Sequence, residues 1–147
     1  MSVNISVTGV KEIDTVLKGM PLQLSEKVLM QAHSDAAFPL VAAAHFLAPV
    51  GKTGNLAESI GIEKVGIRRG GEIGSVQVGP RRRGGYKGFH GHLIEYGKTN
   101  RNGTKTVGKP FMKPAFDQTK GQVEGNIAEN LGRRLNAFIK RTIKNNG

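Results

Sequence analysis

The residues with the most reactive side chains in this sequence are two histidines and a glutamate in one short segment. His90 and His92 form a His-x-His pair, and Glu95 follows three residues later. Imidazole and carboxylate groups at such spacing are a possible set of zinc ligands. In a strand, however, His92 and Glu95 point to opposite faces, and no further cluster of ligand residues follows them. We therefore predict that the segment binds no metal and that the protein needs no cofactor.

The sequence also lacks the residues of the common catalytic sites. It contains no cysteine, which excludes thiolate nucleophiles, disulfides and sulfur-ligated metal clusters. It has neither a phosphate-binding Walker glycine loop, nor a dinucleotide-binding glycine pattern, nor the nucleophile elbow of serine hydrolases. Glu95 has no partner group with which to act as a general acid or base, and we expect it to form a salt bridge or a contact at a sheet edge. The sequence predicts a protein that is not an enzyme.

A second chemical group is a basic run with aromatic neighbours. Its members are Arg81, Arg82, Arg83, Tyr86 and Lys87. Cations beside an aromatic ring can neutralise phosphates and stack on bases, as in nucleic-acid-binding loops. The same residues can instead form a solvated loop that becomes ordered against an acidic protein surface. We favour the acidic protein neighbour and keep a small, basic nucleic-acid-binding protein as the alternative.

The positive charge of the chain is unevenly distributed. The 147 residues carry a formal net charge of +11, yet residues 1–60 contain four lysines and five acidic residues. The excess therefore follows residue 60, between Arg81 and Lys113 and again from Arg133 onward. Part of the surface should be strongly positive and suited to an acidic protein or to nucleic acid. Glu95, Arg101 and Lys105 complete our set of candidate residues for contact with a protein partner or DNA.

Helices are predicted at both ends of the chain. Residues 1–8 alternate apolar and polar side chains, as in a strand or extended arm, and a short helix should run from Val10 to Gly19. Apolar residues at helical spacing then predict a long helix from Pro21 to Ala48, kinked at Pro39. A last helix should begin near Pro114 or Asp117, and residues 144–147 should fray.

The segment between the helices has the composition of β-structure and loops. Two β-rich runs, at residues 59–68 and 72–79, predict a hairpin with its turn at residues 69–71. Leu93 to Tyr96 should add a third strand. Residues 81–91 should form an exposed basic loop. Residues 98–109, with the turn dipeptide Asn-Gly at their centre, should form an exposed basic loop or projecting hairpin.

Together these elements predict an α+β fold in which a small antiparallel β-sheet packs against a long kinked N-terminal helix and a C-terminal helix. At 147 residues the chain should form a single domain, residues 1–147. Phe111 and Phe116 should lie in its core. The first ten residues have neither the basic region nor the sustained apolar region of a signal peptide, and no apolar run reaches the roughly 20 residues that span a bilayer. We therefore expect a soluble protein that is not exported by a signal peptide and has no membrane partner.

Four short motifs in register carry a resemblance to a known family. They are LAPVGKTGNLAESI at residues 47–60, VGP at 78–80, LIEYG at 93–97 and KPFMKPAFD at 109–117. In this order and spacing they resemble the tail-completion, or neck, proteins of long-tailed bacteriophages, and the likeness extends from Gly9 to Lys144. The chain departs from the family in residues 98–109, which form a longer connection, and in residues 81–91, which are unusually basic.

The resemblance implies a structural virion protein that completes the tail and joins it to the head. It implies that copies of the chain assemble into a ring, a hexamer as in the family, in the neck of a particle built in the host bacterial cytoplasm. The implied partners are the tail tube or tail terminator protein on one side and the head connector protein on the other. Packaged DNA is a further possible contact.

Overall fold

The computed structural model describes residues 10–65 and 75–145, and its contacts divide into two compact units. Unit 1 comprises Met1–Ala36, Lys64–Val76 and Glu124–Gly147, and unit 2 comprises Ala37–Glu63 and Gln77–Val123. The predicted N-terminal arm and the predicted turn at residues 69–71 lie outside the described residues. The expectation of a single domain stays a prediction.

The described part of unit 1 consists mainly of helices. Helix α1 spans Val10–Lys18, as predicted, and α2 spans Leu22–Ala36. The C-terminal part of helix α6, Met112–Asn145, also belongs to this unit. Ala32 and Ala36, four residues apart and therefore on one face of α2, are fully buried. Their small side chains allow close packing. Asp35 of α2 accepts a hydrogen bond from the guanidinium of Arg134, which links two helices of this unit.

The chain forms two helices between Leu22 and Leu47, so the prediction of one long helix kinked at Pro39 was wrong. Helix α2 ends at Ala36, and α3, Phe38–Leu47, begins two residues later with Pro39 in its first turn. A proline lacks a backbone N–H and is tolerated in the first turn, where that N–H would have no helical partner. The predicted helix end before Pro49 is confirmed, because α3 stops at Leu47 and Ala48 is extended.

Unit 2 contains short helices and strands in alternation. The elements after α3 are α4 at Asn55–Ser59, β1 at Ile60–Val65, β2 at Ser75–Pro80, α5 at Gly91–Tyr96, β3 at Gly97–Thr99, β4 at Lys105–Val107 and α6 at Met112–Asn145. Unit 1 also contains the end of β1 and the beginning of β2, on either side of residues 66–74, together with the C-terminal part of α6. The α+β class is confirmed, but the strands form two antiparallel two-stranded sheets, β1–β2 and β3–β4, instead of one.

The predicted third strand at Leu93 to Tyr96 was wrong, because these residues are the last four of helix α5. The carbonyl of His90 accepts hydrogen bonds from the backbone N–H groups of Leu93 and Ile94, which closes the first helical turn. Ile94 is partly buried against the core, whereas Leu93 and Tyr96 are exposed. A run of four residues is too short for its apolar periodicity to distinguish a strand from a single helical turn.

The core of unit 2 is small and rich in alanine. Phe111 is its largest side chain and is fully buried among residues of α3, α4, β1 and the first turns of α6: Ala44, Ala48, Leu56, Ala57, Ile60 and Ala115. The prediction that Phe111 is a core residue is confirmed. The same prediction for Phe116 was wrong, because its side chain is 50% exposed. Phe116 lies one residue beyond buried Ala115 and therefore about 100° away around the helix.

Helix α6 is longer at both ends than predicted. It begins at Met112, ahead of the predicted Pro114 or Asp117, with Pro114 tolerated in its first turn. It continues to Asn145, so residues 144–145 are helical and only residues 146–147 of the predicted frayed tail remain outside the described residues. Among the described residues, no helix combines the length and apolarity needed to cross a membrane.

Phe111 should contribute far more to stability than Phe116. We expect Phe111→Ala to lower the free energy of unfolding by about 3–5 kcal/mol, because it removes a large buried side chain and leaves a cavity. The matched change Phe116→Ala should cost under about 1 kcal/mol, since half of that side chain already contacts water. Urea unfolding followed by circular dichroism measures both values. Equal losses would contradict this description of the core.

Candidate functional site

A buried carboxylate joins α5 to the start of α6. The side chain of Glu95 is only 7% exposed. Its Oε2 accepts hydrogen bonds from the backbone N–H groups of Phe111 at 2.8 Å and Met112 at 3.0 Å, and its Oε1 accepts one from Lys113 at 3.0 Å. One side chain thereby holds three successive backbone donors at the N-terminus of a 34-residue helix.

This contact satisfies a need that α6 cannot meet locally. The first N–H groups of any helix lack helical partners, and a Ser, Thr, Asp or Asn at the preceding position commonly accepts from them. Here Phe111 precedes the helix and offers no acceptor. A carboxylate also interacts favourably with the positive end of the helix dipole. Burial raises the pKa of Glu95, but the three backbone hydrogen bonds outweigh it, so its pKa lies below the ordinary value.

Glu95 therefore differs from its predicted role. Sequence reasoning expected a salt bridge or an edge contact and included Glu95 among the partner-binding residues. The structure instead buries it and directs both carboxylate oxygens into the chain's own backbone. Sequence reasoning missed this role because it placed the helix start at Pro114 or Asp117. The observed start at Met112, with Pro110 and Phe111 before it, has no local capping side chain.

The β3–β4 hairpin projects from the same region, as predicted. Gly97 pairs with Val107, Lys98 with Thr106 and Thr99 with Lys105. At its base Gly97 has φ +80, and a Cβ atom there would lie 2.3 Å from the carbonyl oxygen of Thr106, so only glycine fits. The candidate residues Arg101 and Lys105 are both exposed on this hairpin.

The hairpin turn is held by its own polar groups. The Asn100 N–H donates to the Thr104 carbonyl at 2.7 Å, and the Gly103 N–H donates to the Asn100 carbonyl at 2.9 Å. Gly103 has a positive φ of 81, a conformation that glycine adopts readily. The side chain of Asn102 accepts from both the N–H and the hydroxyl of Thr104. These contacts fix the turn that displays Arg101.

The predicted basic loop is closed at its base by Arg81. The Arg81 N–H and Nε donate to the carbonyl of Ser59, at 2.9 and 3.1 Å. The Arg81 carbonyl in turn accepts from the Gly88 N–H at 2.9 Å. A Cβ atom on Gly88 would lie 2.6 Å from both the Arg81 carbonyl oxygen and Ser59 Oγ, so the closure requires glycine there. Ser59 and Gly88 are residues that sequence reasoning missed, and no spacing pattern marked them.

The cations that were predicted as one contact group have different roles. The guanidinium of Arg81 lies over the ring of Tyr86, 3.6 Å from its centroid, so this pair is engaged within the loop. Arg82, Arg83 and Lys87 are exposed at the loop tip. The structure thus brings Arg81 and Tyr86 together and leaves the remaining three cations facing solvent.

Unit 2 is strongly positive on its surface. It contains eleven Lys and Arg residues and four Asp and Glu residues. Between Gln77 and Pro110 the chain has eight Lys and Arg residues, and its one carboxylate in that range, Glu95, is buried. Of the other three acids, Asp117 is paired with Lys113 at 2.9 Å. This surface is therefore suited to a negatively charged partner.

The same unit displays large apolar side chains. The most exposed are Phe46 (88% exposed), Val107 (86%), Tyr96 (84%) and Val50 (81%). All the strongly exposed large apolar side chains among the described residues belong to unit 2. Apolar and aromatic groups displayed among cations are typical of a surface that binds protein.

The described residues contain no group of three His, Cys, Asp or Glu side chains placed to hold a metal ion. His90 packs edge to face against Phe89, with ring centroids 5.2 Å apart. Glu95, which sequence reasoning considered as a metal ligand together with His90 and His92, accepts hydrogen bonds from backbone N–H groups at the start of α6.

Comparison with known proteins finds one family. The model of the HK97-gp10-like family, described as "Bacteriophage HK97-gp10, putative tail-component", matches residues 11–97, which is more than half of the chain. The match includes α1 to α5 and the basic loop. Neither the curated proteins nor the solved structures contain a significant match.

Replacing Glu95 with glutamine should destabilise the protein in a pH-dependent way. We expect Glu95→Gln to cost roughly 1–3 kcal/mol near neutral pH, because the amide retains one acceptor oxygen and turns a donor toward backbone N–H groups. The pKa of Glu95 in the folded state lies below its ordinary value of 4.5. Its stabilising contribution is therefore fully present above pH 4.5 and is lost as the pH falls through the folded-state pKa.

The measurement is urea unfolding of the wild type and the variant from neutral to acidic pH. The difference in unfolding free energy should stay constant above about pH 5 and shrink below the ordinary glutamate pKa. Glu63→Gln, at an exposed position of β1, is the matched control and should change little. A difference that grows on acidification would refute the assignment.

Proposed function

Since the chain belongs to the HK97-gp10-like family of bacteriophage tail components, we propose that it is a structural protein of the virion neck that completes the tail and joins it to the head. The family match supports a structural role in the tail. The finer assignment to the neck is supported by the four motifs at residues 47–60, 78–80, 93–97 and 109–117, which resemble tail-completion proteins.

The surface of unit 2 is the observation that best supports a function carried out by binding other proteins. The polar side chains that hold this unit together, Ser59 and Glu95, are buried, and Arg81 is engaged with its neighbours. The remaining cations of the basic loop and the hairpin are exposed, and so are apolar side chains of the same unit such as Tyr96 and Val107. Such a surface binds an acidic, partly apolar protein neighbour without any chemical reaction.

We propose further that several copies form a closed ring, six in the families that the motifs resemble. One side of the ring would contact the tail tube or tail terminator and the other the head connector. Repeated contacts around a closed ring add up, so no single interface has to be tight. The exposed tip of the basic loop, Arg82, Arg83 and Lys87, and the hairpin residues Arg101 and Lys105 are the proposed contacts. Buried Glu95 is no longer among them.

A nucleic-acid contact is the second candidate, and the loop tip is the observation that favours it. Phe89 is 62% exposed beside the cations of this loop and could stack on a base. Tyr86 is less suited, because Arg81 covers one face of its ring. Binding to DNA would weaken steeply with salt, in proportion to the phosphates neutralised. A fluorescence anisotropy titration with a duplex and a single-stranded oligonucleotide at several salt concentrations tests this.

The neck assignment is tested by electron microscopy of lysates from a phage or prophage with an early stop codon in this gene. Filled heads beside separate tails are expected, and the intact chain supplied in trans should restore joined particles. Normal joined virions in the absence of the chain would refute the neck role and favour the nucleic-acid-binding alternative.

Charge reversal at the loop tip should separate assembly from folding. We expect Arg82→Glu with Arg83→Glu to reduce rescue of the stop-codon phage by at least about tenfold, because like charges then face an acidic neighbour. The midpoint of thermal unfolding should change little, since both side chains are exposed. Infectious titre and a thermal melt measure the two effects.

The matched control is Lys140→Glu with Lys144→Glu, which makes the same charge change at exposed positions of α6 in unit 1. It should rescue nearly as well as the wild type. Equal rescue by both double variants would show that the loop tip is dispensable for joining.

A further inference from the structure

A groove lies between α5 and the β3–β4 hairpin, within unit 2. Its volume is about 300 Å³. Leu93, Ile94 and Val107 line its apolar part, and Lys98 and Lys109 add two cations. Leu93 is 37% and Val107 86% exposed, so these apolar groups are accessible to a partner. The groove therefore combines an apolar surface with positive charge.

No carboxylate lines this groove to balance its lysines. The acidic residue nearest in sequence is Glu95, whose two oxygens accept from the backbone of α6. Lys105, also exposed, lies on β4. The ligand that complements the groove must bring its own negative charge together with apolar groups.

The backbone of β4 offers a second element of recognition. In an antiparallel pair, directly opposed residues alternate between hydrogen-bonded and non-hydrogen-bonded positions. Asn100 and Thr104 form a hydrogen-bonded pair, because the Asn100 N–H donates to the Thr104 carbonyl. Hydrogen-bonded pairs occur at every second position, so the next one along the hairpin is Lys98 with Thr106. The backbone groups of Lys105 and Val107 therefore point away from β3, and all three residues of β4 are exposed. An exposed strand edge is a template for an added strand.

We propose that this groove binds an extended segment of a neighbouring virion protein in which acidic and apolar residues alternate, and that the segment pairs with β4 as a third strand. Alternate side chains of a strand point to opposite faces. Val107 and Thr106 point to opposite faces of β4. Apolar side chains of the segment would therefore lie on the face of Val107, beside Leu93, and its carboxylates on the face of Thr106, whose cross-strand partner is Lys98. The inference rests on the proposed function, because the segment belongs to a neighbour in the particle.

The sequence argues that the segment comes from a different protein and not from a second copy of this chain. The eleven acidic residues of the chain are scattered, and the closest pair is Glu12 and Asp14. These two lie on α1, which is helical and not extended. No segment of this chain therefore alternates several acidic residues with apolar ones.

The test is fluorescence anisotropy of the full chain with a labelled eight-residue peptide in which glutamate and valine alternate, titrated to about 1 mM protein. Saturable binding is expected. Lys98→Glu with Lys109→Glu should weaken it at least about tenfold. The control Lys52→Glu with Lys120→Glu, at exposed positions of the same unit, should weaken it far less.

Two further probes separate strand addition from simple charge attraction. The same peptide with alternate backbone nitrogens methylated keeps its charge but cannot pair with β4, and it should not bind. A peptide with lysine in place of glutamate should not bind either. Equal binding of the methylated peptide, absence of binding by the parent peptide, or no effect of Lys98→Glu with Lys109→Glu would each overturn the proposal.

These results are independent of the particle experiment. The peptide could fail to bind while the stop-codon phage still accumulates separate heads and tails. That result would overturn the proposed ligand of the groove and leave the neck assignment standing. Joined virions without the chain would instead refute the neck role. A single-stranded oligonucleotide that displaces the peptide at equal charge would assign the groove to nucleic acid and overturn the proposed protein ligand.

Discussion

The capping of α6 by Glu95 is the interaction on which the arrangement of unit 2 depends. Three backbone N–H groups at the start of the helix converge on one buried carboxylate. The contact fixes α5 against the segment that carries Phe111, the largest fully buried side chain of the core. The hairpin lies between these two points in the chain, so the same contact holds both of its ends. Without it, a helix start and a carboxylate would each be buried without a partner.

This anchoring explains how one short stretch of chain can be both structural and available for binding. Between Gln77 and Pro110 the polar groups that hold the fold are turned inward: Arg81 closes the basic loop on Ser59, and Glu95 caps α6. The other cations of the stretch can then remain at the surface. A rigid scaffold that displays charged loops is a common arrangement for binding proteins. It agrees with membership of a family of phage tail components.

The sequence predicted the elements with strong local signals and failed where a distant partner decided the structure. The first helix, the helix end before Pro49 and the hairpin around Asn102 followed from periodicity or turn chemistry. The burial of Phe111 followed from residue type alone, and the same argument failed for Phe116. Residues 93–96 were assigned to a strand because four residues carry too little periodicity to identify a helical turn.

The candidate site was predicted less well, since its internal contacts join residues far apart in the chain. Glu95 reaches N–H groups 16 to 18 positions away, and Arg81 reaches Ser59 across 22. Residue type alone could not tell the cation that closes the loop from the neighbouring arginines that remain exposed. Family resemblance identified the class of protein, whereas tertiary contacts determined which charged residues were available to a partner.

The measurement that tests the central claim most directly is a cryo-electron microscopy reconstruction of the neck of a virion that encodes this chain. The account predicts density for several copies in a ring at the head-proximal end of the tail, with the basic loop and the hairpin of unit 2 at contacts with neighbouring proteins. Particles that are complete and infectious but contain no copy of the chain would contradict it.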